Sequence, residues 1–306
     1  MATMDSSEIH WHDYHAEAHV LSGELERPVE QKIEQHAPVA LKDRRGGHLT
    51  RFAEAVSIEG LIAFSKGHTR VSGARARKHD GWITIATSVV DGLNVFEIIT
   101  ADRIVSQVST DHAYDDGHVP RVTFLGTQFR GLRVSGFKVK LHVNLGICGA
   151  DRPANNRSYL RDSKFLNAVK TQTEVITTAT ALPEEFKEPY NKNLAHIERL
   201  LEVCEANDQN SRAPVTCSLV QSIDPIPIEG VQTFGHLILI PEFGLVTLGE
   251  VEVGDRTDTP ADKQVAKPDA KASPYFDLTG IRMKLGCVGH GTASAANALA
   301  NGHSHP

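Results

Sequence analysis

No two cysteines in this chain are spaced as CxxC. The four present, Cys148, Cys204, Cys217 and Cys287, therefore suggest neither a zinc knuckle nor a thioredoxin-like site. Three of them end or interrupt β-like runs (HVNLGIC, VTCSLV, IRMKLGC), where cysteine serves as a small buried apolar residue. A disulfide between two strand ends is the alternative. No apolar run approaches the roughly 20 residues that span a bilayer as a helix. Basic excess is missing too, since the formal net charge is -6. A mildly acidic protein has no field to gather nucleic acid or an anionic membrane surface, and both are excluded as partners. The N-terminus, MATMDSSEIHWHDYH, is polar and His-rich and lacks the basic start and apolar core of a secretory signal. The expected location is cytoplasmic, or the cell surface if a signal has been removed. No serine or cysteine sits in a nucleophile elbow or another recognisable catalytic setting.

What is there is an ordinary globular composition. The 306 residues are 40% hydrophobic and 23% charged, enough for one large core or two smaller ones. The segment from Gly81 to Asn144 carries short β-branched runs separated by turn residues, with no helical period. Asp91-Gly92, Asp116-Gly117 and Ser135-Gly136 each sit between apolar runs, the local signal of a hairpin. This predicts a meander of antiparallel strands. The fold class is mainly β: an antiparallel β-sandwich or barrel-like meander with an inserted helical segment.

Taken in order, residues 1–12 read as a flexible N-terminus. From Asp13 the pattern alternates. Asp13, His15, Glu17, His19, Leu21 and Leu25 share one face, and Tyr14, Ala16, Ala18 and Val20 share the other, as in a strand. Leu49 to Val71 gives two further strands. Residues 152–207 are expected to be a helical insertion. Leu160, Phe165, Leu166 and Val169 mark one stripe, and Leu194, Ile197, Leu201 and Cys204 a second, with Pro183 opening a short helix that Pro189 interrupts. Strands return at APVTCSLVQSI and at GHLILIPEFGLVTLGEVEVGD. Residues 255–274 lack large apolar side chains and read as a mobile loop. YFDLTGIRMKLG is expected to be the last strand, closing a single β-rich domain over 13–287. Residues 288–306, small and polar, read as a frayed tail.

The runs GLNVFEIITADRIVSQVST, VTFLGTQFRGLRVSGFKV and HLILIPEFGLVTLGEVEVGD, in that order, resemble the layout of the bacterial choice-of-anchor P domains. The resemblance rests on strand spacing and turn residues and covers about half the chain. It implies a structural or adhesive module and brings no catalytic residues with it. The helical insertion and the missing export signal depart from that family.

Three constellations could carry chemistry. His10, His12, His15, Glu17 and His19 are imidazole and carboxylate groups of the kind a divalent metal prefers. In a strand His15, Glu17 and His19 share a face, and the spacing resembles the first cupin motif, although no second motif follows. The alternative is a set of solvated histidines on an edge strand. Asp111, His112, Asp115, Asp116 and His118 could offer oxygens to a cation, or simply make a tight turn. Gly286, Gly289, Gly291 and Thr292 could bring backbone amides to a phosphate, but no lysine precedes Thr292 and no βαβ unit surrounds it. Two functions follow as expectations. One is a non-catalytic structural, binding or self-associating module, whose partner is a second copy or another protein. The other is a metal-dependent, cupin-like enzyme or metal-binding protein using the N-terminal His/Glu cluster.

Overall fold

A computed structural model describes residues 11–28, 30–77, 80–113, 119–154, 158–206, 213–256, 273–286 and 290–305. The chain is mainly β, in two large antiparallel sheets packed face to face, with two helices among the described residues and no closed barrel. No described helix is long and apolar enough to cross a membrane.

The first sheet contains nine strands. Its central path runs β17 (Gln232–Phe234), β18 (Leu237–Ile240), β19 (Gly244–Arg256), β20 (Ser273–Leu285), β21 (His290–His305), β1 (Trp11–Arg27) and β2 (Gln31–Ile33). At its sides β3 (Val39–Asp43) pairs with β1, and β15 (Val215–Ser218) pairs with β19. The second sheet contains ten strands. Its long members are β7 (Lys66–Arg75), β8 (Gly81–Val95) and β9 (Ile99–Ala113), with β4 (Gly47–Ala53) paired to the outer side of β7. β5 (Val56–Ile58), β6 (Ile62–Phe64) and β10 to β13 (Arg121–Thr123, Gln128–Arg130, Arg133–Val134, Phe137–Lys138) complete it. A two-stranded pair, β14 (Leu141–Val143) with β16 (Val220–Ile223), stands apart.

The largest departure from expectation is at the C-terminal end. Residues 290–305 form β21, which is paired on both sides, with β20 and with β1. The stretch GTASAANALANG looks like a tail because alanine is a weak strand former. Here its smallness is the reason for the strand. Ala293, Ala295, Ala298 and Ala300 face the second sheet and are buried. Small side chains let the two sheets close together, and Gly280 beside them on β20 has no room for more. A methyl there would lie 2.7 Å from Ser106 Oγ and 2.9 Å from Ile104 Cγ2 of β9.

A crease crosses the first sheet at this level. The pairs Val20 with Ala296, Ala296 with Gly280, and Gly280 with Gly249 are missing from otherwise regular ladders. Gly249 and Ala296 take φ of 61° and 58°, so each strand steps by one residue and its faces exchange. Tyr14, Ala16 and Ala18 point inward before the crease, and Leu21 and Leu25 point inward after it. The expected grouping of Leu21 and Leu25 with His15 is corrected for that reason. Ser88 of the opposite sheet donates to the carbonyl of His19 at 2.8 Å, satisfying an acceptor at the step.

The helical insertion is α1 (Ser163–Thr177) and α2 (Glu184–Ala206). Asp162 caps α1 by accepting from the amide of Lys164 at 3.0 Å. Pro189 lies inside α2 and does not interrupt it. The helix forgoes one bond to the carbonyl of Glu185 and is held by packing of Tyr190, Ile197 and Leu200. Two amide side chains then close the free side of β15. Gln172 accepts from the amide of Ser218 at 2.7 Å and donates to its carbonyl at 2.9 Å. Asn193 accepts from the amide of Thr216 at 3.1 Å and donates to its carbonyl at 2.7 Å. The edge is satisfied as a neighbouring strand would satisfy it.

Asp91-Gly92 does not turn the chain. Gly92, at φ 65°, steps the strand while β8 continues, and the reversal comes at Phe96 and Glu97, both at positive φ. Ser135-Gly136 does turn it, between β12 and β13. The Asp116-Gly117 turn and most of the 255–274 loop lie outside the described residues. Cys148 and Cys217 are buried free thiols, and Cys287 also lies outside the described residues.

Candidate functional site

The predicted alternation of β1 is correct up to the crease, and it splits the histidines between two environments. His12 points inward and is buried. Its ring stacks on Trp82 at 5.2 Å, meets Tyr14 edge-on at 4.7 Å and lies 4.6 Å from the ring of His112. His15, Glu17 and His19 point outward. His15 and Glu17 share a hydrogen bond of 2.8 Å, Lys42 of β3 reaches Glu17 at 2.7 Å, and His19 bonds Ser22 at 3.0 Å. The bond to His15 holds the Glu17 carboxyl down at about 2, against the effect of partial burial. Burial pushes His19 down to about 4, with Glu17 opposing. Each outward group is thus occupied by a neighbour. Among the described residues no three His, Cys, Asp or Glu side chains converge as metal ligands would. His10 lies outside the described residues.

Register places these groups in rows across the outer face of the first sheet. His19, Asn297, Thr279, Glu250 and Ser218 stand opposite one another on successive strands, as do Glu17, Leu299, Asp277, Glu252 and Thr216. Thr279 donates to Asn297 at 2.9 Å, Tyr275 donates to Glu252 at 2.6 Å, and Arg282 pairs with Glu250. Burial pushes Asp277 up to about 6, helped by the charge of Glu252, with Arg282 opposing. Burial likewise raises Glu250, against Arg282. A cleft of about 780 Å³ adjoins the row at Asp13, His15, Lys42, Arg44 and Asn301, and Arg44 donates to Asp13 at 2.8 Å across it. Sequence reading missed Asp277, Glu250 and Glu252. Their signal was present as single acidic residues alternating with buried ones on two late strands, but only the register brings them beside Glu17.

Among the described residues the other two constellations do not assemble. Asp111 and His112 are adjacent in β9, so their side chains leave opposite faces of the sheet. Asp115, Asp116 and His118 lie outside the described residues. Gly291 and Thr292 are inside β21, where their backbone pairs with Leu25, Glu24, Leu285 and Lys284. Gly286 packs against Gly244, and Gly289 lies outside the described residues.

A different feature stands out once edges are compared. β15 is closed by side chains, β3 is five residues, and β2, β5, β10, β11, β13 and β17 are three residues or fewer. Short edge strands are the usual protection against pairing with another chain. β4 is seven residues long, pairs only with β7 among the described residues, and exposes Leu49 and Phe52 at 44% and 75%. Nothing in GHLTRFA marked it as an edge before its pairing was known.

No curated protein and no solved structure matches the chain. Over residues 12–254, ending within β19, it matches a family described as a domain of unknown function, and the chain belongs to that family, DUF8256.

Proposed function

We propose that the chain is a non-catalytic β-rich binding module that takes an extended segment of a partner along the open side of β4. One observation carries this: among the described residues β4 is the longest strand paired on one side only, while β15 is closed by Gln172 and Asn193 and β3 is five residues long. Strand addition to such an edge gains main-chain hydrogen bonds, with side-chain contacts setting preference. The exposed Leu49 and Phe52 offer one apolar contact on each face of the added strand. The likeness of the meander to choice-of-anchor P domains supports a module that adheres rather than reacts. So does the outer row, whose ionisable groups mostly bond one another.

The test is fluorescence anisotropy with labelled seven-residue strand peptides of valine and glutamine, together with light scattering over a wide concentration range. Peptide binding or self-association that Leu49→Asp and Phe52→Asp both abolish is the expected result. A strict monomer that binds no strand peptide counts against the proposal.

A further inference from the structure

The charge around β4 narrows the partner, on the reading that β4 is the docking edge. β4 and β7 together carry Arg51, Lys66, Arg70 and Arg75 and not one carboxylate, in a chain whose net charge is -6. All four cationic residues are exposed, as is His48. Arg51 and Arg70 make no ion pair among the described residues. Arg70 instead donates to His48 Nδ1 at 3.3 Å, which keeps two basic groups side by side. Asp43 and Glu54, the nearest acidic residues in sequence, lie outside the ladder of β4 with β7.

Each face of β4 pairs one apolar with one basic group. Leu49 and Arg51 share the face that Thr69 and Val71 occupy on β7. Phe52 and His48 share the other, with His68 and Arg70 opposite. Phe52 lies against the ring of His68 at 6.0 Å. We infer that the segment β4 receives is an extended strand from a different protein, carrying acidic and apolar side chains on each of its faces. A second copy fits poorly. A second copy's β4 carries no carboxylate to meet Arg51 or the neighbouring Arg70, so that pairing would add cationic charge without any to offset it.

The probe is a labelled seven-residue peptide of valine and glutamate alternating in pairs, which sets one of each along either face. Peptides with glutamine or lysine in place of glutamate serve as comparisons. The full chain is expected to bind the glutamate peptide about tenfold more tightly than the glutamine peptide, with the lysine peptide weakest, and the difference shrinks as salt screens the charges. Arg51→Glu with Arg70→Glu is expected to reverse the order. Arg51→Gln with Arg70→Gln, a milder pair at exposed positions, is expected to level it. Equal binding of all three peptides overturns the inference while leaving strand addition intact. Binding of none overturns both, and a concentration-dependent dimer that Phe52→Asp dissolves replaces the acidic partner with a second copy.

Discussion

Asp277→Asn is expected to stabilise the protein at neutral pH and to do nothing in acid. Asp277 faces outward from β20 with Glu17 two strands away on one side and Glu252 beside it on the other. Its carboxyl is raised from an ordinary 3.8 to about 6, first by burial and then by Glu252. A raised carboxyl means that the folded protein holds this proton more tightly than the unfolded chain. Stability therefore falls as pH climbs from about 4 to 6, and the full penalty is present above that window. At about 1.4 kcal/mol for each pH unit, the ceiling is about 3 kcal/mol, and residual solvent contact makes about 2 kcal/mol the working expectation. Asparagine keeps the shape and cannot ionise. Urea denaturation at a series of pH values, read by the fluorescence of the buried Trp82, gives the difference between variant and parent. Subtracting the parent removes other titrations, including that of His236, whose buried ring is pushed down to about 3 and contributes the opposite slope. A variant that is weaker at pH 7.5, or whose gain is the same at pH 4 and 7.5, would refute the reasoning.

Three further outcomes are expected. Gln172→Ala removes the partners of the Ser218 amide and carbonyl and should cost about 2–4 kcal/mol, because buried backbone groups are left unsatisfied; urea midpoints measure it, and Gln172→Glu should recover only the bond from the Ser218 amide. Gly280→Ala should cost about 1–3 kcal/mol through overpacking against Ser106 and Ile104, with Ser106→Gly in the same chain restoring part of the loss in thermal melts. His15→Ala should move the Glu17 carboxyl upward from about 2 toward its ordinary 4.5, seen in a carboxyl NMR titration; in the parent this group's contribution is present above 4.5 and is lost as pH falls toward 2.

The alternation of β1 and the antiparallel meander were legible because period two is written directly in side-chain polarity. The helical insertion was legible from its apolar spacing. What stayed hidden depends on contacts between distant segments. Leu21 looks outward if the strand is counted from His15, since nothing local announces a step that Gly249, Gly280 and Ala296 create together. The Ala-rich stretch at 293–300 has the composition of a helix or a tail, and only the nearness of the opposite sheet makes it a strand. Asp91-Gly92 carries a turn signature, yet Gly92 steps the strand instead, and Phe96 and Glu97 make the reversal without glycine. Of the expected metal ligands, His12 separates from His15, Glu17 and His19 by parity, which sends it into the interior beside Trp82.

The order of strands in the first sheet also governs how the molecule can be made. β1 is synthesised before β21 and finds its long neighbour only there, more than 250 residues later. Until that segment arrives, β1 lacks its longest ladder and one edge of β20 stays unpaired. Folding should therefore be slow and dominated by distant pairings, with the second sheet and helices available as early, local structure. Cutting the chain before residue 290 would not trim an end; it would open the sheet down its middle.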